Sequence, residues 1–529
     1  MQPYFSKILA YVLGLSWIVV GFSLTITRAS AAEINAPAEA ELFIQEYRVQ
    51  GVKHLSVGII EETVYPFLGP GRSSQDVELA RAALEKAYRD AGFQTVAVQI
   101  PLQQVTDGVV TLRVVEGVVD RLRVNGAHFS SPKLLKSMVP SLAEGRVVNF
   151  NEVPNEIVAL NQLPDRRVTP ALRAGSAPGL VDVELNVIET TPLHASAELN
   201  NRHSANTTAL RANVSVSDNN FLQRGDALGF SLQIAPERID DAKVISGYYL
   251  TRFPTSGLSL MVQATKQDSN VSTLGGAAVS GRGQTAGMRA LMRLPATREF
   301  FQTLSLGFDY KHFDQTVRVG GNNLVSPITY WPLNLNYTAT VLGDKRETNL
   351  NLAATLHLRG LGSDPTVFDN RRYQADGSFF FIHGEFSHER VITHEWKVFA
   401  KLAGQLANQA LLDSEQVSGG GLGTVRGYLE SEVVGDSAAF ATLELRSPAV
   451  SGRLGEWCAY GFGETGVLNV YHALPQQRSY FYLASYGVGT RVRFRERFNG
   501  SIDAGLPLIA QSQTQGHDLR FTFRLWADF

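Results

Sequence analysis

Cysteine is nearly absent from this sequence: Cys458 is the only one among 529 residues. One cysteine excludes an intrachain disulfide, so the fold must be held together without such cross-links. The formal net charge is only −2, which gives no reason to expect nucleic acid or an anionic membrane surface as a partner. Beyond the N-terminal region no apolar run is long enough for a transmembrane helix, although strands that alternate polar and apolar residues could still cross a membrane.

Motifs for the common enzyme chemistries are also missing. The sequence contains no Gly-x-Ser-x-Gly, no His-Glu-x-x-His and no phosphate-binding loop, because its glycine-rich run lacks the Gly-Lys-Ser/Thr ending. His383, Glu385 and His388 lie close together, but strand alternation places His388 on the opposite face from the other two. We therefore predict separate polar residues here, with no metal site, no cofactor and no enzymatic activity.

The first 32 residues have the pattern of an export signal. Lys7 supplies a positive charge, the stretch from Ile8 to Ile26 is almost wholly apolar, and Ala29-Ser30-Ala31 forms a small-x-small cleavage site. We predict a signal peptide over residues 1–32. The apolar stretch is long for this role, so a membrane anchor is the alternative.

Residues 42–117 follow a β-α-α-β-β order. The pattern predicts strands at Ile44 to Val49, Phe93 to Ile100 and Val109 to Val115, and helices from Ser56 to Phe67 and from Ser73 or Ser74 to Gly92. Gly69-Pro70-Gly71 is expected to break the chain between the helices. This segment is long enough to be a small domain of its own.

The same order returns in residues 118–190. Strands are predicted at Val119 to Val124, Val168 to Arg173 and Leu180 to Ile188, with helices at Pro132 to Val139 and at Val153 to Leu163, the latter capped by Asn151. Val49-Gln50-Gly51 in the first segment matches Val124-Asn125-Gly126 in the second. The two segments therefore form a tandem repeat of roughly 75 residues.

From residue 193 onward the helical patterns stop, and about sixteen alternating segments follow, separated by turn residues. One apolar face carries Trp396, Val398, Ala400 and Leu402, and another carries Leu519, Phe521, Phe523, Leu525 and Phe529. A soluble sandwich is the alternative, but sandwiches rarely run to so many strands. We predict a 16-stranded antiparallel transmembrane β-barrel over residues 193–529. Its lumen would carry the cations of the opposite faces, Lys397, Lys401, Arg491 and Arg493.

A glycine-rich run from Gly419 to Tyr428 lies between the eleventh and twelfth predicted strands. Glycines allow a loop to fold tightly and to approach another backbone closely. Arg426 sits near the tip of this loop and could therefore be placed deep inside a barrel.

Three features of this region resemble outer-membrane proteins that move or insert polypeptides. The tetrad Val425, Arg426, Gly427 and Tyr428 resembles the tip of their sixth extracellular loop, and Phe462-Gly463-Glu464-Thr465-Gly466 resembles their Phe-x-Asp-x-Gly wall motif, with Glu in place of Asp. The terminal Phe529 resembles their assembly signal. The resemblance implies that Arg426 folds inward and pairs with Glu464. The alternative is a solvated loop arginine and an unrelated lumen glutamate.

The whole chain from residue 42 resembles the two-partner secretion transporters, or TpsB proteins, of the haemolysin-secretion-and-activation type. The repeated segments resemble periplasmic POTRA domains, and a count of two fits TpsB rather than relatives that carry three or five. Asp218-Asn219-Asn220-Phe221-Leu222, followed by Gly225-Asp226, resembles the turn after the second barrel strand in TpsB proteins. The resemblance thus implies two α+β POTRA domains followed by a barrel in the outer membrane.

This resemblance implies that the protein exports one large TpsA exoprotein through its barrel without ATP. Its other partners would be outer-membrane lipid and the barrel assembly machinery, with no nucleic acid. Residues 33–42 are too few for the plug helix that many TpsB proteins carry, so we expect no helical plug. Alternatives are an insertase for other barrels, a simple porin and an outer-membrane enzyme.

Overall fold

The computed structural model describes residues 42–529 except 106, 254–255, 270–281, 320–321, 454 and 496. The predicted signal peptide, and the segment on which the expected absence of a plug helix depends, lie outside the described residues. Among the residues described, no helix is both long and apolar enough to cross a membrane. Of the described residues, 42–88 and 97–115 belong to the first of two compact units, and 89–96 and 116–529 belong to the second.

The first unit contains the predicted β-α-α-β-β order with two additional short strands. Its elements are β1 (Leu42–Ile44), β2 (Glu46–Gln50), α1 (Val57–Val64), β3 (Gly69–Arg72), α2 (Ser74–Asp90), β4 (Ala97–Gln99) and β5 (Val109–Val115), and the two additional strands are β1 and β3. The prediction of a simple break at Gly69-Pro70-Gly71 was incomplete, because these residues form β3, which pairs with β1. The sheet order is β2-β5-β4, with β2 and β5 parallel.

The second unit opens with a module of the same order. This module, residues 118–189, consists of β6 (Val118–Asn125), α3 (Pro132–Ser137), α4 (Val153–Leu160), β7 (Arg166–Ala174) and β8 (Leu180–Glu189). Its sheet order is β6-β8-β7, so β7 is an edge strand. The predicted cap Asn151 is wrong: Glu152 occupies the N-cap position of α4, and the Asn151 side chain donates to the carbonyl of Ala91 instead.

The matching glycines of the two repeats have the same structural role. Gly51 has a φ of +86°, and a Cβ there would lie 2.4 Å from the carbonyl oxygen of Val114. Gly126 has a φ of +80°, and a Cβ there would lie 2.3 Å from the carbonyl oxygen of Val187. Only glycine satisfies both the left-handed conformation and the close approach. Each module therefore turns its chain at the same point and for the same steric reason.

The rest of the second unit is a closed antiparallel barrel of sixteen strands, as predicted. Its strands are β9 (Leu193–Asn200), β10 (Arg211–Phe221), β11 (Asp226–Ile234), β12 (Ala242–Phe253), β13 (Leu258–Ser269), β14 (Arg282–Arg293), β15 (Phe300–Val319), β16 (Asn322–Tyr330) with β17 (Leu333–Gly343), β18 (Arg346–His357), β19 (Phe379–Val391), β20 (Lys397–Ala407), β23 (Ser437–Arg446) with β24 (Val450–Gly452), β25 (Gly455–Asn469), β26 (Tyr480–Phe494), β27 (Phe498–Pro507) and β28 (Arg520–Asp528). β16 and β17 both pair with β15, and β23 and β24 both pair with β25, so each couple is one interrupted strand. Two further elements, α5 (Pro365–Arg371) and the hairpin of β21 (Val417–Gly419) and β22 (Val433–Gly435), belong to the connecting loops.

Polar and apolar side chains alternate along the strands, which gives the barrel an apolar outer surface. The predicted apolar faces of the eleventh and sixteenth strands are exposed at Trp396, Leu402, Phe521 and Leu525, and the fourteenth strand exposes Tyr486 and Val488 in the same way. Large exposed apolar side chains around a closed barrel are expected where lipid, not water, is the surrounding medium. The interleaved positions, which include charged residues, face the lumen.

The barrel closes between its last and first strands, where Phe529 takes part. β28 pairs with β9 from Arg524 to Asp528. The amide of Phe529 donates to the carbonyl of Ala195 at 2.8 Å and its own carbonyl accepts from the Ala195 amide at 3.1 Å. The terminal residue predicted as an assembly signal thus extends the closing ladder, while its ring remains exposed.

The motif at Asp218–Leu222 joins the barrel to the module of residues 118–189. It ends β10, the second barrel strand, as predicted. The side chain of Asn219 donates to Asp165 at 2.9 Å, and that of Asn220 donates to the carbonyl of Phe129 at 2.9 Å. Asn220 also accepts from the amide of Gly225 at 3.0 Å, which fixes the turn itself. The motif is therefore a docking turn rather than a simple reversal.

Glu189 stabilises the start of α3, and its removal is predicted to weaken this module. Its carboxylate accepts the backbone N–H groups of His128, Phe129 and Ser130. Partial burial opposes its charge, but these hydrogen bonds outweigh the burial and lower the pKa of Glu189 below its usual value. Since the group is only partly buried, we expect Glu189→Gln to cost about 1 kcal/mol at neutral pH.

Amide hydrogen exchange at residues 128–130 measures this effect. Because the folded pKa lies below the unfolded one, the wild-type advantage is present above the unfolded pKa and disappears as the pH falls through the folded value. Equal exchange in the two proteins at neutral pH would contradict the assignment. Glu184→Gln, which changes another carboxylate of β8, is the matched control.

Candidate functional site: a loop held inside the barrel

The long loop between β20 and β23 enters the barrel from the end opposite the module of residues 118–189. It spans residues 408–436 and lies between the eleventh and twelfth strands, as predicted from the sequence. The hairpin of β21 and β22 forms its stem, and the glycine-rich tip lies between these two short strands. The tip residues Val425, Arg426 and Tyr428 are all buried. The loop therefore occupies the lumen instead of extending into solvent.

The tip passes very close to the barrel wall at Gly427. This residue has a φ of +90°, and a Cβ there would lie 3.2 Å from the backbone of Gly505 and of Pro507. A Cβ on Gly505 would in turn lie 2.8 Å from the amide nitrogen of Gly427. Two glycines facing each other allow the backbones to approach, which brings the neighbouring Arg426 against β25 and β27.

Apolar packing and one hydroxyl hold the residues on either side of Arg426. Val425 is fully buried in a cluster with Phe440, Leu468 and Leu483, side chains of the barrel wall. The hydroxyl of Tyr428 donates to the carbonyl of Ile509 at 2.8 Å. The predicted wall residue Gly466 lies beside this cluster, where a Cβ would lie 2.5 Å from the ring of Phe440.

Arg426 binds Glu464, as the sequence motifs predicted. The backbone amide of Arg426 donates to Glu464 Oε2 at 2.5 Å, while Nε and Nη2 of its side chain donate to Oε1 at 2.9 and 2.6 Å. Arg426 is 4% exposed and Glu464 6% exposed. A solvated loop arginine, the alternative considered above, does not describe this structure.

Two further carboxylates, which the motif comparison did not identify, complete the binding of the guanidinium. Nη2 of Arg426 lies 2.7 Å from Glu444 Oε1, and Nη1 lies 3.0 Å from Asp503 Oδ1. Glu444 lies on β23 and Asp503 on β27, so carboxylates of three different strands surround one cation. The sequence did carry a signal for Glu444, because Leu443 and Leu445 flank it and face outward.

Aromatic side chains form the remaining walls of this pocket. The ring of Phe462, the first residue of the wall motif, lies 3.6 Å from Cζ of Arg426, a cation–π contact. The hydroxyl of Tyr460 donates to Asp503 at 2.9 Å and orients that carboxylate. We call Glu444, Glu464, Asp503, Tyr460 and Phe462 the guanidinium pocket.

Other ion pairs fasten the loop on both sides of its tip. Glu430 accepts from Arg202 of the β9–β10 connection at 2.8 Å. Lys311 of β15 lies 2.5 Å from Glu415, near the start of the loop. Asp436 at the loop end accepts from Arg372 at 3.2 Å.

The four cations predicted for the lumen have different surroundings. Lys397 pairs with Glu389 at 2.9 Å, and Lys401 donates to the carbonyl of Gly423 in the loop at 2.8 Å. Arg491 lies 3.5 Å from Glu444 at the edge of the guanidinium pocket. Arg493 forms a half-exposed pair with Glu456 at 3.3 Å. The structure brings two of them, Lys401 and Arg491, to the loop region.

The histidine and glutamate residues of β19 are divided between the two faces of the strand. Phe380 and Phe386 face outward on this strand, which places His388 on the outside and His383 with Glu385 on the lumen side, as alternation predicted. Among the residues that the structure describes, no cluster of three potential ligands is found anywhere.

Comparison with known families identifies the architecture. The family described as "Haemolysin secretion/activation protein ShlB/FhaC/HecB" matches residues 179–492, and the ShlB-type POTRA domain matches residues 42–117. The chain belongs to this family. It is therefore an outer-membrane transporter whose POTRA domain lies in the periplasm, and the loop of residues 408–436 enters the lumen from the extracellular end.

Individual relatives are distant in sequence but similar in fold. The outer membrane transporter CdiB of Escherichia coli O6:K15:H31 is 21% identical over 92% of this chain and 82% of its own length. A solved structure of CdiB from Escherichia coli aligns with a TM-score of 0.61 at 19% identity, over 96% of this chain and 93% of that one. BamA from Haemophilus ducreyi aligns with a TM-score of 0.57 at 16% identity, over 92% of this chain and 100% of that one.

Two substitutions at Glu464 are expected to distinguish the contribution of its charge from the contribution of its side-chain length. Glu464→Gln removes a buried counter-charge of Arg426 and should cost about 3 kcal/mol, at the lower end for broken buried pairs because two carboxylates remain. Glu464→Asp keeps the charge but withdraws it by one methylene, and should cost about 1 kcal/mol. The urea midpoint of the folded barrel in liposomes measures both.

The matched control for this series is Glu456→Gln, which removes a half-exposed lumen carboxylate away from the pocket and should change stability by less than about 1 kcal/mol. If the Gln and Asp variants of Glu464 were equally stable, the charge of this residue would not contribute to holding the loop.

Proposed function

We propose that this transporter exports one large TpsA-type polypeptide through its barrel and that the loop around Arg426 controls the passage. The observation that carries the proposal is the buried ion-paired tip inside the lumen, whose side-chain contacts are separate from the backbone ladders that hold the barrel together. Carboxylates on three strands are arranged around one loop residue. A simple porin needs no such device and no periplasmic modules.

The module of residues 118–189 supports this proposal as a second POTRA domain. It has the β-α-α-β-β order of the first, the same glycine turn and the same sheet arrangement, with a parallel pair and an antiparallel edge strand. Its contacts with the docking turn place it directly beneath the barrel. A polypeptide bound to this module would therefore be delivered close to the lumen.

The edge of β7 offers a restricted place for an extended client segment. Exposed strand edges can bind another strand through backbone hydrogen bonds. At Val168 both backbone groups are already bonded to the side chain of Asn161, and Pro170 has no N–H to donate. The backbone N–H groups of alternate residues point to the same side of a strand. Leu172 is therefore the next residue of β7 whose N–H points outward, away from β8. The part of β7 that could bind a client strand is thus limited to its C-terminal end, around Leu172.

Leu172→Pro is expected to reduce export severalfold, because it removes the outward N–H while leaving the inner ladder to β8 in place. Client protein in the culture supernatant is the measurement, with the amount of folded transporter in the membrane held equal. Leu172→Ala, which keeps the N–H, should export normally. Normal export by the proline variant would exclude this edge as the docking site.

Export in this scheme is passive. The sequence carries no phosphate-binding loop that could couple it to ATP. The client would arrive unfolded, move through a lumen lined with charged side chains such as Arg493, and fold outside. Folding beyond the membrane would bias the movement outward, because a folded segment cannot return.

An insertase for other barrels is the second candidate, favoured by the fold similarity to BamA. The family match favours export. In both cases the surrounding lipid and the barrel assembly machinery are partners in biogenesis, and no enzymatic step is needed. Chromosomal context separates them, since a neighbouring gene for a long β-helical exoprotein supports export.

Deletion of the gene should remove one large protein from the culture supernatant, and the wild-type gene should restore it. Arg426→Ala is expected to leave export near zero although the barrel still inserts, because the buried carboxylates lose their cation and the loop loses its position. Arg493→Ala, a change at a half-exposed lumen pair, is the matched control. Unchanged supernatant on deletion would contradict export itself, and normal export by Arg426→Ala would contradict only the role of the loop.

A further inference from the structure

A cavity lies beneath the loop tip, on the periplasmic side of the guanidinium pocket. Its volume is about 410 Å³, and Leu422 and Arg426 of the loop line it from above. Phe399, Arg446 and Trp526 also line it, and they lie at the periplasmic ends of β20, β23 and β28. The three carboxylates that bind Arg426 face the same cavity. A side chain arriving from the periplasm therefore reaches these carboxylates without crossing the loop.

The three carboxylates depend on Arg426 to different degrees. Glu444 also pairs with Arg446 at 2.6 Å and with Arg491 at 3.5 Å. Among the ion pairs of the described residues, Glu464 and Asp503 are joined to Arg426 alone. Both are buried with the loop in place, and withdrawal of the loop would leave two neighbouring carboxylates to repel each other without their shared cation. An open lumen would retain this unfavourable arrangement unless another cation took the place of Arg426.

The pocket is shaped for a guanidinium rather than for any cation. Its carboxylates accept N–H groups along three edges of one planar fork, and the ring of Phe462 covers the face of that plane. Arginine presents donors in a fixed plane and stacks on aromatic rings, whereas the ammonium of lysine is a point charge with no plane. Arginine is therefore the side chain that the vacated site would accept best.

We propose that the guanidinium pocket receives an arginine side chain of the exported polypeptide when Arg426 leaves it. The inference rests on the proposed export function. Exchange of one arginine for another keeps Glu464 and Asp503 paired throughout, so the loop can withdraw without exposing two unpaired carboxylates. Opening then requires an arginine in the client segment that first enters the cavity.

Single-channel recording from the full-length protein in planar lipid bilayers tests the exchange. The probe is a short extended peptide with one arginine, added on the POTRA side, compared with the same peptide carrying neutral citrulline. The arginine peptide should raise the open probability severalfold, the lysine version should act more weakly, and the citrulline version should have no effect. Equal responses to arginine and citrulline, or a stronger response to an acidic peptide, would overturn the proposal.

Two variants connect this response to the pocket. Glu464→Gln should abolish the preference for arginine over citrulline, whereas Glu456→Gln, which alters a lumen carboxylate outside the pocket, should retain it. The purified Arg426→Ala protein supplies a direct binding test: methylguanidinium should raise its heat stability and leave the wild-type protein, whose pocket is filled, unchanged. Absence of this rescue would also overturn the proposal.

The test of arginine exchange can fail while the proposed export function holds. Export is read from the client in the culture supernatant of the deletion strain carrying the wild-type gene. Normal export together with equal arginine and citrulline responses would reject the exchange alone.

Discussion

The burial of one guanidinium inside the barrel is the constraint to which the rest of the site is adapted. A buried cation without counter-charges is strongly unfavourable, and so are neighbouring buried carboxylates without a cation. Arg426 on the loop and the acids on β23, β25 and β27 therefore depend on each other. The position of the loop determines whether the carboxylates of the barrel wall have a counter-charge. These carboxylates in turn determine where Arg426 can bind.

The loop is held in two physically different ways. Around Val425 it is held by apolar packing against the wall, which excludes water and strengthens the neighbouring ion pairs. Toward the extracellular end, Glu430 and Asp436 bind arginines of other loops. These outer contacts are separate from the ion pairs of the tip, so the tip can be released by loss of its own ion pairs while the outer anchors keep the loop attached.

Much of this arrangement followed from sequence because it depends on local patterns. Alternation along each strand predicted the barrel and its two faces, and the motifs around Arg426 and Glu464 predicted their contact. The roles of Glu444 and Asp503 were missed because alternation shows that a side chain faces inward but not its height along the barrel. The height of a side chain along the barrel axis depends on the register between neighbouring strands, and that register is set by all the hairpins together. β3 was missed because Gly69-Pro70-Gly71 has the composition of a turn. These residues form a strand by pairing with β1.

The docking turn fixes the module of residues 118–189 against the barrel. Between Glu189 and Leu193 the chain that joins the second module to β9 is short, and a flexible link of this kind would by itself permit rotation. The contacts of Asn219 with Asp165 and of Asn220 with Phe129 add a second point of attachment, and two points determine an orientation where one does not. Asn220 is buried in this contact, so its hydrogen bond to Phe129 is shielded from water and strengthened. The module is therefore held against β10 and against β9, the first strand of the barrel and a member of its closing pair.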